Sequence, residues 1–151
     1  MGDAGSADDL TQLPRSEFAF PGPLRDRLIR AILDGRKVAT TSLALEYEVR
    51  HESLPYSGQR SVVVDSDNQP VCVIEITDVV IVPMGEVDFA HVADEGEGHE
   101  AVSDRRKGHE NYWRSKEMAA SLGGVVLVLD DSTAVVLERF RVVERLRSTV
   151  N

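Results

Sequence analysis

The stretch Ser61-Val62-Val63-Val64-Asp65-Ser66-Asp67-Asn68-Gln69-Pro70-Val71-Cys72-Val73-Ile74-Glu75-Ile76-Thr77 sets two β-branched runs on either side of a turn-forming segment. Valine and isoleucine fit a pleated, half-buried surface, while Asp, Asn and Pro fit a tight reversal. The stretch therefore reads as an antiparallel hairpin, Ser61 to Asp65 against Val71 to Thr77. A further strand is expected over Val79 to Val82. Val125 to Leu129 and Thr133 to Val143 read as a second hairpin across Asp130-Asp131-Ser132. Hairpin-joined strands leave edges that need closure or cover, so the expectation is a small β-barrel of about five to six strands.

Working outward, the flanking segments read as helices, which makes the class α+β. Pro23 suits a first helical position, and Leu24, Leu28 and Ile32 recur every four residues until Gly35 ends the pattern. Leu43 to about Arg50 predicts a short second helix, with Thr41 or Ser42 as its cap. Glu86 to Ala93 predicts another. Ser103 can cap a longer helix running to Leu122, where Gly123 and Gly124 stop it. Residues 1–17 are polar and lack apolar periodicity, so they read as a disordered N-terminal tail, with one domain over 18–151.

A chain of 151 residues with 42% hydrophobic content suffices for one core and leaves little room for two. Its 26 Asp and Glu against 17 Lys and Arg give a net charge of -9, which repels a polyanion at long range. Any nucleic-acid binding must therefore be local. Arg25, Arg27, Arg30, Arg36 and Lys37 form an early basic group, and Arg139, Arg141, Arg145 and Arg147 a late one. Each is either a solvated face or a steering patch. Cys72 is the only cysteine, so no intrachain disulfide and no disulfide-linked partner is expected, and a reducing cytoplasm suits the chain. Neither a membrane span nor a secretory signal is legible. No Gly-rich phosphate loop, His-Glu-x-x-His helix or Gly-x-Ser-x-Gly elbow occurs, so nucleotide-triphosphate hydrolysis and zinc proteolysis are unsupported, no cofactor is expected and no residue is assigned as a metal ligand.

Five segments carry a resemblance. Gly35-Arg36-Lys37-Val38-Ala39-Thr40 looks like the Gly-x-Lys-x-x-Thr signature of ASCH domains, placed between the first helix and the strands. Pro70 to Thr77, Ala93-Asp94-Glu95-Gly96-Glu97-Gly98 and Val136 to Val143 follow in the family's order, with Lys107-Gly108-His109-Glu110-Asn111-Tyr112-Trp113 between them. Over about residues 18–145 the chain resembles a bacterial subfamily of small ASCH proteins. His99 stands where Asp is expected, and Arg105 where Trp is expected. The resemblance implies a PUA-like barrel with a cleft beside the Lys-x-x-Thr loop, and RNA or a nucleoside-like small molecule as partner. Some small relatives are amidohydrolases on acetylated cytidine that use a Lys, a Thr and a Glu, and others are linked to RNA cleavage. The resemblance places those three roles on Lys37, Thr40 and Glu75.

A threonine hydroxyl is a poor nucleophile until a base takes its proton, and Lys37 could do so if burial lowered its pKa. Glu75, in an apolar strand, could then shuttle the proton to a leaving amine. This reading expects Lys37 and Glu75 to approach within salt-bridge or single-water reach. The plain alternative is a surface lysine, a threonine bonded to its own loop and a structural ion pair. Arg36, Thr41, Glu97, His109 and Tyr112 are the expected ligand contacts around the cleft. Tyr112 or Trp113 either stacks a base or packs the core, and His109 has the same two readings. Glu95, Glu97 and His99 either rim the cleft as a solvated acidic loop or hold a divalent cation. Their spacing matches no zinc or calcium loop.

Overall fold

The structure, a computed structural model, describes residues 12–97, 102–124 and 127–146. Its strands are β1 (Arg15–Ser16), β2 (Ala39–Leu43), β3 (Arg60–Val64), β4 (Pro70–Pro83) and β5 (Ala134–Arg145). Its helices are α1 (Pro23–Leu33), α2 (Ala44–Val49), α3 (Phe89–Asp94), α4 (Val102–Trp113) and α5 (Lys116–Ser121). The strands form one mixed, five-stranded sheet in the order β1-β3-β4-β5-β2, parallel only between β1 and β3. Among the described residues the sheet is open: β1 and β2 are its edges and are not paired to each other. The α+β class stands, and the closed barrel is not seen.

The first hairpin has its expected turn, where Asp65 Oδ1 accepts from the Asp67 and Gln69 backbone at 2.9 Å each. Its second strand runs on through Val79–Val82, so the separately expected strand is the far end of β4. Register shifts at Val73/Ile74 and Ile76/Asp78 let this long strand bend along β5. The second expected hairpin does not form, since residues 127–129 are not strand and 125–126 lie outside the described residues. The reason is that β5 has no free edge there: Val135 to Arg139 pair with β2 on one side and β4 on the other.

The chain just before Phe18 joins the sheet. Arg15 and Ser16 pair with Val62 and Val63, and the Pro14 carbonyl accepts from Val62 N at 2.9 Å, so ordered chain precedes Phe18. The rest of the expected tail, residues 1–11, lies outside the described residues. Helix α1 has Pro23 in its first turn as expected, but its buried face is Arg25, Ile29 and Ile32, while Leu24 and Leu28 are half-buried at the cleft. Thr41 and Ser42 do not cap α2: they belong to β2, and Glu46 Oε2 takes the Leu43 N–H at 3.0 Å instead. The long helix expected to Leu122 breaks after Trp113, and Ser115 caps its second piece by accepting from Met118 N at 3.1 Å.

One face of the sheet packs Phe18, Ile29, Ile32, Ile74 and Phe140 beneath α1, and a second cluster joins Leu43, Val92, Trp113, Met118 and Val135 beneath α3–α5. Trp113 is thus a core residue. So is Cys72, whose thiol burial pushes up to about 11, which keeps it protonated and inert. Arg25 is 2% exposed and bonds the Ala19 and Asp65 carbonyls and Glu17. It ties the entry segment to the hairpin and belongs to the scaffold. Three members of the late basic group are paired at the surface, Arg139 with Asp94, Arg141 with Glu75 and Arg145 with the Leu33 carbonyl, and Arg147 lies outside the described residues.

The contact that sets the site is made between backbones. Gly96 has φ +65°, and a Cβ there would lie 2.3 Å from the Arg36 carbonyl oxygen and 2.8 Å from Lys37 Cα. Gly35 has φ +81° with nothing within 4 Å of its Cβ position. Gly96→Ala is expected to cost about 3 kcal/mol through strain plus overpacking, and Gly35→Ala only about 1 kcal/mol through strain. Urea denaturation of the two variants checks this: equal losses would mean that the close approach carries no energy.

Candidate functional site

Lys37 follows α1 in a turn whose backbone is pinned by two N–H bonds to the Ala31 carbonyl, from Arg36 at 2.9 Å and Lys37 at 3.0 Å. Val38 then donates to the Asp94 carbonyl at 2.8 Å, which fastens the turn to the end of α3. The lysine side chain is 1% exposed. Its Nζ donates to the Ala39 carbonyl at 2.9 Å, to the Glu95 carbonyl at 3.4 Å and to Glu97 Oε2 at 3.3 Å. It also lies 5.9 Å from the centroid of the Phe18 ring. A cation so deep needs a carboxylate and oriented carbonyls, and here it has both.

Glu75 is not among them. It lies 3.1 Å from Arg60 and 3.6 Å from Arg141, and the expected approach to Lys37 is not made. Period-two alternation gives the reason: Ile76 lines the cleft, so its neighbour Glu75 points to the opposite face of β4. The carboxyl beside Lys37 is that of Glu97, brought there by the Gly96 turn.

Beneath this pair is a buried polar layer. Glu95, 0% exposed, accepts from Thr41 Oγ1 at 2.5 Å. Thr41 has given its single hydrogen, so it must accept the 2.9 Å bond from His91 Nε2, which fixes the protonated nitrogen of that ring. Thr41, expected as a ligand contact, is therefore committed inside the fold. His91 is buried beside it. His109 packs at a tilt of 52° against Trp113 with centroids 5.1 Å apart, and its Nε2 is 3.7 Å from Glu95 Oε1, beyond hydrogen-bond reach, with no bonded partner among the described residues. Glu95, Glu97 and His109 bring one ligand atom each within 4.8 Å of one another, a spacing that could hold a cation. Lys37 Nζ, touching both Glu97 and the Glu95 carbonyl, already supplies positive charge there. His99, the other expected member of that loop, lies outside the described residues.

Above the pair opens a cleft of about 1330 Å³. Lys37, Thr40, Thr41, Glu97, His109 and Tyr112 line it, as do Arg15, Arg27, Arg30, Arg36 and Arg50. Arg36 is a rim residue, 59% exposed and 3.0 Å from Asp34. Tyr112 packs on Phe20 with centroids 5.6 Å apart, and its hydroxyl is pushed up to about 12, chiefly by burial. Thr40 faces the cleft half-buried, and no hydrogen bond engages its hydroxyl among the described residues.

Two cleft residues were not anticipated. Glu138 of β5 pairs in register with Thr40, and Tyr47 of α2 donates to its Oε2 at 3.3 Å while meeting Ser42 Oγ at 3.0 Å. A signal was present in the sequence: Glu138 falls between Val136 and Phe140 at period two, a carboxyl on an apolar face. Burial raises the Glu138 pKa, opposed by the Tyr47 bond and the Lys37 charge, and burial with Glu138 nearby raises that of Tyr47.

Residues 17–144 match the family model described as ASCH domain. A crystal structure of a protein from Enterococcus faecalis V583 is similar with a TM-score of 0.75 at 27% identity, covering 87% of this chain and 77% of that one. The ASCH domain from Lactobacillus crispatus JV V101 is similar with a TM-score of 0.72 at 28% identity, covering 93% and 87%. A search of the curated proteins gives no match. No helix among the described residues is long and apolar enough to cross a membrane.

The raised pKa of Glu138 gives a signed expectation. A carboxyl harder to ionise in the fold than in the unfolded chain favours the fold most below its ordinary range, and that contribution is lost as pH rises through its raised value. Glu138→Gln removes this dependence. The stability of Glu138→Gln relative to the natural chain should therefore increase from pH 4 to pH 8. Thermal melts of both proteins across that range check it, and a constant difference refutes it.

Proposed function

The chain belongs to the ASCH domain family, and from that premise we propose that its cleft binds single-stranded RNA or a nucleoside-like ligand. The observation that carries this reading is the buried Lys37–Glu97 pair at the base of a cleft rimmed by arginines. The family is usually linked to RNA binding. The cleft is larger than the roughly 300–1,000 Å³ of a small-molecule pocket, which favours a strand over a lone nucleoside. On a chain of net charge -9, the cleft is lined by Lys37 and five arginines alongside five glutamates, so attraction for a polyanion is confined to the arginine-bearing stretches of its wall. Tyr112 and His109 offer ring edges to an unstacked base, with Arg36 at the rim and Glu97 beside Lys37 at the base.

A second reading, acyl transfer, is favoured by the unengaged Thr40 hydroxyl on the same wall. In this reading Thr40 Oγ attacks an acyl carbon on the ligand's exocyclic amine. Glu97, in the place first expected of Glu75, relays the hydroxyl proton to the leaving amine, and Lys37 holds that carboxylate in position from beneath. Water then releases the acyl group from Thr40.

Titration of a short single-stranded RNA at low and moderate salt tests the first reading. Binding should weaken with salt, and Lys37→Ala should weaken it by roughly 30-fold or more, as expected for truncating one partner of a buried charge pair. Absence of binding by the natural chain at either salt removes RNA as the ligand. For the second reading, the natural chain should release acetate from acetylated cytidine and Thr40→Val should not. A natural chain without turnover leaves a binding module.

A further inference from the structure

Glu138 stands in the cleft under conditions that a structural carboxyl would not need. Its Oε2 is held by Tyr47, yet no hydrogen bond reaches Oε1, and no cation stands within ion-pair distance among the described residues. Lys37 is near enough for its charge to act on Glu138, but its Nζ is bonded to Glu97 and two carbonyls. Arg50, on the same cleft, is engaged by Glu46 at 3.2 Å and by Ser121. That second oxygen opens to the cleft and is not sealed in the fold, so a ligand donor can take the place of water on it.

The surroundings fix what can complete it. The Ser42–Tyr47–Glu138 relay orients the carboxyl, with the tyrosine hydroxyl donating into it, so its free oxygen is presented as an acceptor. Thr40 lies directly across on β2. We propose that Glu138, steadied by Tyr47, is a specificity-determining residue that accepts an N–H from the ligand and selects bases carrying an exocyclic amine over those with a carbonyl there. This rests on the reading of the cleft as an RNA or nucleoside site, and it adds which base edge is read. Cytosine and uracil make the sharpest comparison, because they share a ring and differ where the amine of one, a donor, is the carbonyl of the other, an acceptor. An acceptor oxygen bonds the first and repels the second. An unpaired or mismatched polar contact of this kind discriminates more strongly than shape.

Oligocytidylate and oligouridylate of equal length, titrated under the same salt, test the inference. The natural chain is expected to bind the first at least about tenfold more tightly, as one good hydrogen-bonded edge supplies. Glu138→Ala should reduce oligocytidylate binding to the level of oligouridylate, and Tyr47→Phe should narrow the gap. Lys37→Ala should weaken both oligomers alike. Equal affinities for the natural chain overturn the inference and leave the RNA-binding reading intact, as does a preference that survives in a folded Glu138→Ala. If that variant fails to fold, the ratio in the natural chain and the Tyr47→Phe result still decide. Failure of both oligomers to bind removes the RNA-binding reading, and this inference with it.

Discussion

The close passage of Gly96 over the Arg36–Lys37 backbone is the constraint on which the site depends. With no side chain at Gly96, the end of α3 reaches the turn after α1, and the Val38 N–H to Asp94 carbonyl bond locks the two segments. Glu95 then falls inside and Glu97 outside, on either side of the glycine. Lys37 meets the carbonyl of one and the carboxylate of the other. A side chain at residue 96 would separate the cation from both, and a lysine 1% exposed without its anion is among the most costly arrangements a small domain can contain.

The polar groups of the region fall into two layers with different duties. In the inner layer, Glu95, Thr41 and His91 satisfy one another at hydrogen-bond distance, an arrangement that fixes side-chain positions because each bond consumes a specific donor or acceptor. In the outer layer, Thr40 and Glu138 face the cleft beside the Lys37–Glu97 pair, and among the described residues the Thr40 hydroxyl and one Glu138 oxygen have no hydrogen bond. The unengaged Thr40 hydroxyl and the free oxygen of Glu138 face each other across the β2–β5 pair. A rigid, satisfied layer beneath an unsatisfied one is what positioning a ligand against fixed groups requires.

Several sequence expectations met the same physical limit. Alternation correctly placed β3 and the first half of β4, because local β propensity and turn chemistry agree there. It did not reveal that β5 lies between β4 and β2, which leaves no edge for residues 127–129 to join. The α1 periodicity found the helix but set its buried face by the leucines, whereas tertiary packing put Arg25 inward, its guanidinium bonded to the Ala19 and Asp65 carbonyls. Lys37 and Thr40 were legible from the Lys-x-x-Thr spacing, since both lie on one short segment. Their carboxylate partner was not.

By itself the sequence determined the α+β class, the first hairpin, the helix that leads into Lys37, and the acidic balance that confines any polyanion binding to a local patch. These follow from composition and from periodicities within a dozen or so residues, where backbone geometry alone relates one side chain to the next. Only the tertiary structure decided that Lys37 pairs with Glu97 rather than Glu75, that Thr41 and His91 turn inward to Glu95, and that Glu138 stands in the cleft. Each of those facts joins residues at least 50 positions apart in sequence or depends on which face of a strand looks into the cleft. Such distances are closed by sheet order and by one glycine's lack of a side chain, and no local pattern encodes either.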